Sequence, residues 1–293
     1  MMTRDQVRLA VGLEERSSPR ACLVPARIAL VVILSVTAAQ SLGQDGEPNP
    51  SDGEMRQHSK FVRLESVAGG QSRGVELLPD SLLNFNDPAG RTLGGSLWAW
   101  GGPGRPLAVL ELSKMGPRPG LVRWVDGVTS LSHGRIVATW EDGQRWQSTA
   151  PGLTMRPVPD AAVPAESNPE RLRQMKAIAR KFLLREATGP IRGKIQLRLL
   201  PNPIHRYSDA GSGQRDGAVF VFASGTNPEA LLVVEAQSAG RPDLGWHYGL
   251  ARVTGGALAA DMGGREVWRV EEADPPHAGP AYMNRFHPPV QPK

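Results

Sequence analysis

The clearest pattern along the chain is alternation. From Gly95 to Trp100 and from Gly217 to Phe222, small residues alternate with aromatic or aliphatic ones, which predicts strands. Turn sequences follow at Gly104-Arg105-Pro106 and Asn227-Pro228, then further apolar runs, LAVLEL and EALLVVEA. Val122–Ser132 and Leu244–Thr254 are again β-rich, and Asp142-Gly143 and Gly263-Gly264 mark hairpin turns. Short connections of this kind predict antiparallel sheets, because parallel neighbours need crossovers of a dozen or more residues. One segment has helical spacing instead. Leu172, Met175, Ile178, Ala179, Phe182 and Leu183 form an apolar stripe, with Asn168 as the expected cap, Pro169 and Glu170 in the first turn, and Gly189-Pro190 as the stop.

These signals recur at a fixed distance. At an offset of 122 residues, VELLPDSLLNFND meets LRLLPNPIHRYSD and GGSLWAW meets DGAVFVF; Trp124 meets Trp246 and Trp146 meets Trp268. From Leu77 to Trp146, 13 of 70 positions are identical without a gap. KFVRLE at Lys60 echoes KFLLRE at Lys181. The expected fold is α+β: two tandem repeats, each one helix followed by five or six mostly antiparallel strands. The expected organisation is a signal peptide over 1–43, a linker over 44–59, a first repeat over 60–150, a linker over 151–166, a second repeat over 167–273, and a Pro-rich extended tail over 274–293.

The N-terminus carries its own signal. Arg4, Arg8, Arg16, Arg20 and Arg27 precede the apolar run Ile28–Ala39, and small residues follow before Gln44. Export to a periplasmic or extracellular space with cleavage near Gln44 is expected; membrane anchoring by residues 28–39 is the alternative, although a bilayer-spanning helix needs about 20 apolar residues. Five of the 34 Lys and Arg and three of the 29 Asp and Glu precede Gln44, so the remainder is close to neutral. That balance argues against nucleic-acid binding. The one cysteine, Cys22, lies ahead of the apolar run, so disulfides are not part of the expected mature fold.

Segments of the second repeat, Leu197–Tyr207, Asp216–Phe222, Gly225–Ala236 and Trp246–Arg252, resemble a family of exported bacterial proteins with no assigned activity. The resemblance covers about 75 residues and implies location and architecture alone.

No G-x-S-x-G elbow, phosphate-binding glycine loop, H-E-x-x-H or C-x-x-C is present, and no cofactor or metal is expected. Duplicated units share what folding needs and differ where roles diverge. His205, Arg206, Glu235, His247, Tyr248 and Arg252 stand where the first repeat has Leu83, Asn84, Ser113, Val125, Asp126 and Ser130, so those six are the candidate ligand surface. His277 and His287 read as solvated tail residues. The cations of the inter-repeat helix, Arg171, Arg173, Lys176, Arg180, Lys181 and Arg185, read either as a solvated face or as a contact with an anionic envelope surface. The functional expectation is an exported, non-catalytic binding or structural protein of the cell envelope, and enzymatic activity is not the favoured reading. The alternative is a hydrolase that assembles its site from dispersed residues such as His205, Glu235 and His247.

Overall fold

A computed structural model describes residues 50–87, 92–187, 194–209, 214–237, 244–273 and 278–291. They form mostly antiparallel sheets with two helices. The N-terminal half opens with α1 (Pro50–Ser59). A four-stranded sheet follows, in the order β2 (Gln71–Val75), β1 (Val62–Ala68), β7 (Arg135–Trp140), β8 (Arg145–Gln147). The larger sheet of that half contains β3 (Leu83–Asp87), β4 (Thr92–Trp100), β5 (Ala108–Met115) and β6 (Arg123–Ser130).

The C-terminal half has the same plan. After α2 (Asn168–Ala179), one sheet runs β11 (Lys194–Gln196), β10 (Phe182–Ala187), β17 (Ala257–Met262), β18 (Arg265–Val270). The other contains β12 (Arg198–Leu199), β14 (Gln214–Ser224), β15 (Asn227–Gln237) and β16 (Gly245–Arg252), with β13 (His205–Asp209) also on β14. The registers coincide pair for pair. Leu83 faces Leu97 as His205 faces Val219, Ala108 faces Ser130 as Ala230 faces Arg252, and Lys114 faces Trp124 as Ala236 faces Trp246. Trp146 lies opposite Ala138 as Trp268 lies opposite Ala260. An aromatic–glycine device also recurs. A Cβ on Gly95 would lie 2.3 Å from the Phe85 ring, and one on Gly217 2.3 Å from the Tyr207 ring, so each ring lies flat over bare backbone.

Three apolar clusters divide the molecule into layers. Met55, Leu64, Trp98, Trp100 and Trp140 fill the space between the two N-terminal sheets, and Met175, Leu184, Phe220, Phe222 and Trp246 do the same in the C-terminal half. A third cluster, including Leu97, Val109, Val219 and Val233, joins the inner faces of the two large sheets. Alternation along each strand serves both clusters: on β14, Phe220 and Phe222 point one way and Val219 and Val221 the other.

The large sheets are completed by exchange. β9 (Arg156–Pro157), which follows the N-terminal half, pairs with β16: Arg156 faces Tyr248, and Val158 N–H bonds Trp246 O at 2.8 Å. β19 (Tyr282–Phe286), which follows the C-terminal half, pairs with β6: Arg285 faces Asp126, and His287 N–H bonds Trp124 O at 3.0 Å.

Several expectations are corrected here. Residues 282–286 are a sheet strand rather than a free tail, and Tyr282 is buried, because β6 offers an unpaired edge. The first helix lies within the stretch read as linker, over residues 50–59. KFVRLE belongs mostly to β1, and Phe182 and Leu183 belong to β10 rather than to α2; a burial pattern of period two replaces the helical one after Arg180. The echo is also one residue out. Val62 faces Trp140 as Phe182 faces Met262, an offset of 120 on one strand and 122 on its neighbour. A slip of one residue would have turned every side chain to the wrong face. The α2 cap is Ser167, whose hydroxyl accepts from Glu170 N–H and donates to the Glu170 carboxylate at 2.7 Å. Gly189-Pro190 lies outside the described residues, as do residues 1–49. Among the described residues the halves carry eight strands, β1–β8, and nine, β10–β18, more than the five or six expected; the two- and three-residue ones, β8, β11 and β12, have too short a pattern to read.

Candidate functional site

The six residues singled out in the C-terminal half do not form one surface. His205, Glu235 and His247 lie on the inner face of their sheet, in line with Tyr207 and Gly217; Arg206, Tyr248 and Arg252 lie on the opposite face. Glu235 is completely buried. It accepts from Tyr207 Oη at 2.6 Å and pairs with Arg105 of the other half at 3.3 Å. Burial, with Glu235 beside it, holds the Tyr207 hydroxyl well above its ordinary pKa. His205 stacks on Tyr207, and burial lowers its pKa. Tyr248 is a core residue packed edge-on against Phe182. Arg206 bonds Asp216 at 2.6 Å, and Arg252 donates to the carbonyls of Thr254, Gly255, Gly256 and Glu271. These contacts fasten sheets and loops.

A different group gathers in the N-terminal half. Asp126 on β6 is 2% exposed, and its carboxylate bonds both the Trp140 indole N–H and His287 Nε2. β7 supplies Trp140, and the chain just beyond β19 supplies His287, whose side chain is 29% exposed rather than fully solvated. His58, at the end of α1, lies flat on Trp124, with ring centres 3.9 Å apart and planes 6° apart. Its ring meets that of His287 edge-on at 6.2 Å. Burial lowers the His58 pKa, partly opposed by Asp126 and Glu54. Arg285 covers the Trp140 ring at 4.9 Å and bonds Asp142 at 2.8 Å. A cavity of about 180 Å³ opens among these side chains, with Phe61, Val62 and Leu112 as its apolar wall.

The C-terminal half closes the same place with apolar groups. The matched registers put Tyr248 where Asp126 stands, Met262 where Trp140 stands, Val158 where His287 stands and Ile178 where His58 stands. Tyr248, Val158 and Ile178 are buried in the C-terminal core, and Met262 packs against it. A buried carboxylate is costly unless partnered, and here the partners are an indole and an imidazole at the wall of a cavity, which makes this group the candidate site. Sequence reasoning missed the pocket because it sought divergence in the second repeat alone. The exchange of Asp126 for Tyr248 was visible, but the partners His58 and His287 lay in segments read as linker and tail. His277 lies outside the described residues.

A second set of buried carboxylates is chemically distinct. Burial raises Glu229 on β15 from an ordinary 4.5 to about 9, reinforced by Glu186 and Glu111; burial also raises Glu111 to about 7. The folded chain therefore keeps a proton on Glu229 that the unfolded chain loses above about pH 4.5. Stability contributed by this group is complete below pH 4.5 and is lost as pH rises towards 9, a deficit of about 3 kcal/mol at pH 7. Glu229→Gln is expected to flatten that decline, so that its urea midpoint exceeds the wild type's at pH 8 and matches it near pH 4.5. An unchanged slope in the variant would remove Glu229 as the cause.

Among the described residues no group of three His, Cys, Asp or Glu is placed to hold a metal ion, and no helix is long and apolar enough to cross a membrane. Comparison with protein-family models, with curated proteins and with solved structures gave no match for this chain.

Proposed function

We propose that the chain is an exported, non-catalytic binding protein of the cell envelope, built by duplication of one α+β unit, in which one of two equivalent positions has become a ligand pocket and the other has closed. The observation that carries this reading is buried Asp126, held by Trp140 and His287 beside a cavity, where the other half has Tyr248 in a sealed core. Duplication is supported by the coincident strand registers and by the two exchanged strands, whose pairings match residue for residue. Export rests on the basic and apolar N-terminal pattern.

Binding is favoured over Ser-, Thr- or Cys-based covalent catalysis because none of these is among the described residues lining the pocket, which leaves its carboxylates and imidazoles to any catalytic reading. A carboxylate-oriented imidazole is also what a general base requires, so the hydrolase alternative is better placed on Asp126 and His287 than on His205, Glu235 and His247. The test is a thermal-shift screen of small polar compounds on the mature chain, with turnover followed in parallel. A true ligand at 100 times its Kd should stabilise the wild type by about 2.7 kcal/mol. That gain should vanish in Asp126→Asn and His287→Gln. A compound that stabilises the variants equally binds elsewhere, and turnover abolished by either substitution would establish the enzyme instead.

A further inference from the structure

Each half has a groove where its chain crosses from the small sheet to the large one. The N-terminal groove holds about 830 Å³ and the C-terminal one about 700 Å³. Their floors correspond: Val62, Leu77 and Trp100 in one, Phe182, Leu199 and Phe222 in the other. Their rims do not. The N-terminal rim mixes Lys60, Arg63 and Arg145 with Glu65 and Glu76, and Arg145 approaches Glu65 to 3.9 Å. The C-terminal rim carries Arg180, Lys181 and Arg198, and the one acid among its described lining residues, Asp261, bonds Arg185 at 2.5 Å.

The inter-repeat cations thus sort into groups. Arg171 is buried against Asp216, Lys176 donates to Asn202 at 2.6 Å and Arg185 is held by Asp261, so these three are committed within the fold, whereas Arg173 is an exposed neighbour of Glu170 away from the groove lining. Arg180 and Lys181, both exposed, crown the groove. Of β11 only Gln196 lines the groove, which opens where the chain parts from β10 beyond their pairing at Arg185–Ala187. A cationic rim above a covered floor selects acidic groups.

We infer that the C-terminal groove docks an acidic peptide segment of a partner protein, with Arg180, Lys181 and Arg198 meeting its carboxylates. Charge complementarity chooses this occupant. An acyl chain would need an open apolar floor, whereas Phe182 and Phe222 are almost wholly covered. This docking is separate from the pocket at Asp126 and does not depend on it.

The experiment uses the mature chain and a fluorescein-labelled peptide of alternating Glu and Val, read by anisotropy. Saturable binding that weakens in high salt is expected, with little binding of the Gln–Val counterpart. Arg180→Glu/Lys181→Glu should weaken binding by about tenfold or more, while Lys60→Glu/Arg63→Glu in the other groove should change it less than about twofold. No binding to the wild type, or equal loss in both double variants, would overturn the inference. So would binding to vesicles containing phosphatidylglycerol that the acidic peptide fails to compete away, since the cations would then serve a lipid surface.

Discussion

Arg105→Met is expected to cost the folded chain about 3–5 kcal/mol, although the residue sits in a surface turn between β4 and β5. Its guanidinium reaches across the inner interface to both oxygens of Glu235 at 3.3 Å, and Glu235 is wholly buried. Tyr207 donates to the same carboxylate from the sheet that carries Glu235. Removal of the cation takes the Arg105 guanidinium away from a carboxylate that stays in the core, and the loss is far larger than the net value of the pair. The same reasoning predicts rescue. Arg105→Met/Tyr207→Phe/Glu235→Leu replaces the set by apolar groups and should recover most of the lost stability, because buried ion pairs seldom outperform good packing. Urea denaturation of the three proteins decides it. A cost below about 1 kcal/mol for Arg105→Met would mean that water already reaches the carboxylate.

That pair also shows how far the sequence was readable. Strands with strong alternation, such as Trp98–Trp100 and Phe220–Phe222, were legible because their large aromatic residues fill one apolar cluster while the smaller residues between them enter another. Turns at Gly143 and Gly263 were legible because both glycines take positive φ. Glu235 stood out as polar on an apolar strand, but Arg105, 130 residues away, gave no local signal of being its partner. The end of α2 was misread for a physical reason. Phe182 and Leu184 are buried by alternation on β10, and Phe182 also falls at helical spacing from Ile178, so period two and period 3.6 agree on that position. β9 and β19 were invisible as strands, since each is defined by the edge it meets rather than by its own residues. The pocket inherited that blindness: Arg285 and His287 enter it only because the segment around β19 returns to the first sheet.

Trp246→Ala is expected to cost about 3–5 kcal/mol and, more tellingly, to lower the unfolding midpoint of both halves together. Trp246 is 3% exposed in the C-terminal core, on β16 beside Ala236. Its indole nitrogen is buried with no hydrogen-bond partner, so Trp246→Phe, which keeps ring packing and removes that donor, should cost much less. The wider consequence follows from the exchanged strands. β16 is the strand on which β9 docks, and β9 leads back to the N-terminal half; β19 leaves the C-terminal half to complete the N-terminal sheet. The inner cluster adds direct packing between the halves, with Leu97 and Val109 against Val219 and Val233. Loss of either large sheet therefore strips an edge from the other and exposes its inner face. Hydrogen exchange read separately on β1–β7 and β10–β17 peptides should show one shared transition in the wild type, displaced equally in Trp246→Ala. Should the β1–β7 peptides keep their wild-type midpoint while β10–β17 opens, the halves fold independently, and the exchanged strands are attachments of little energetic weight.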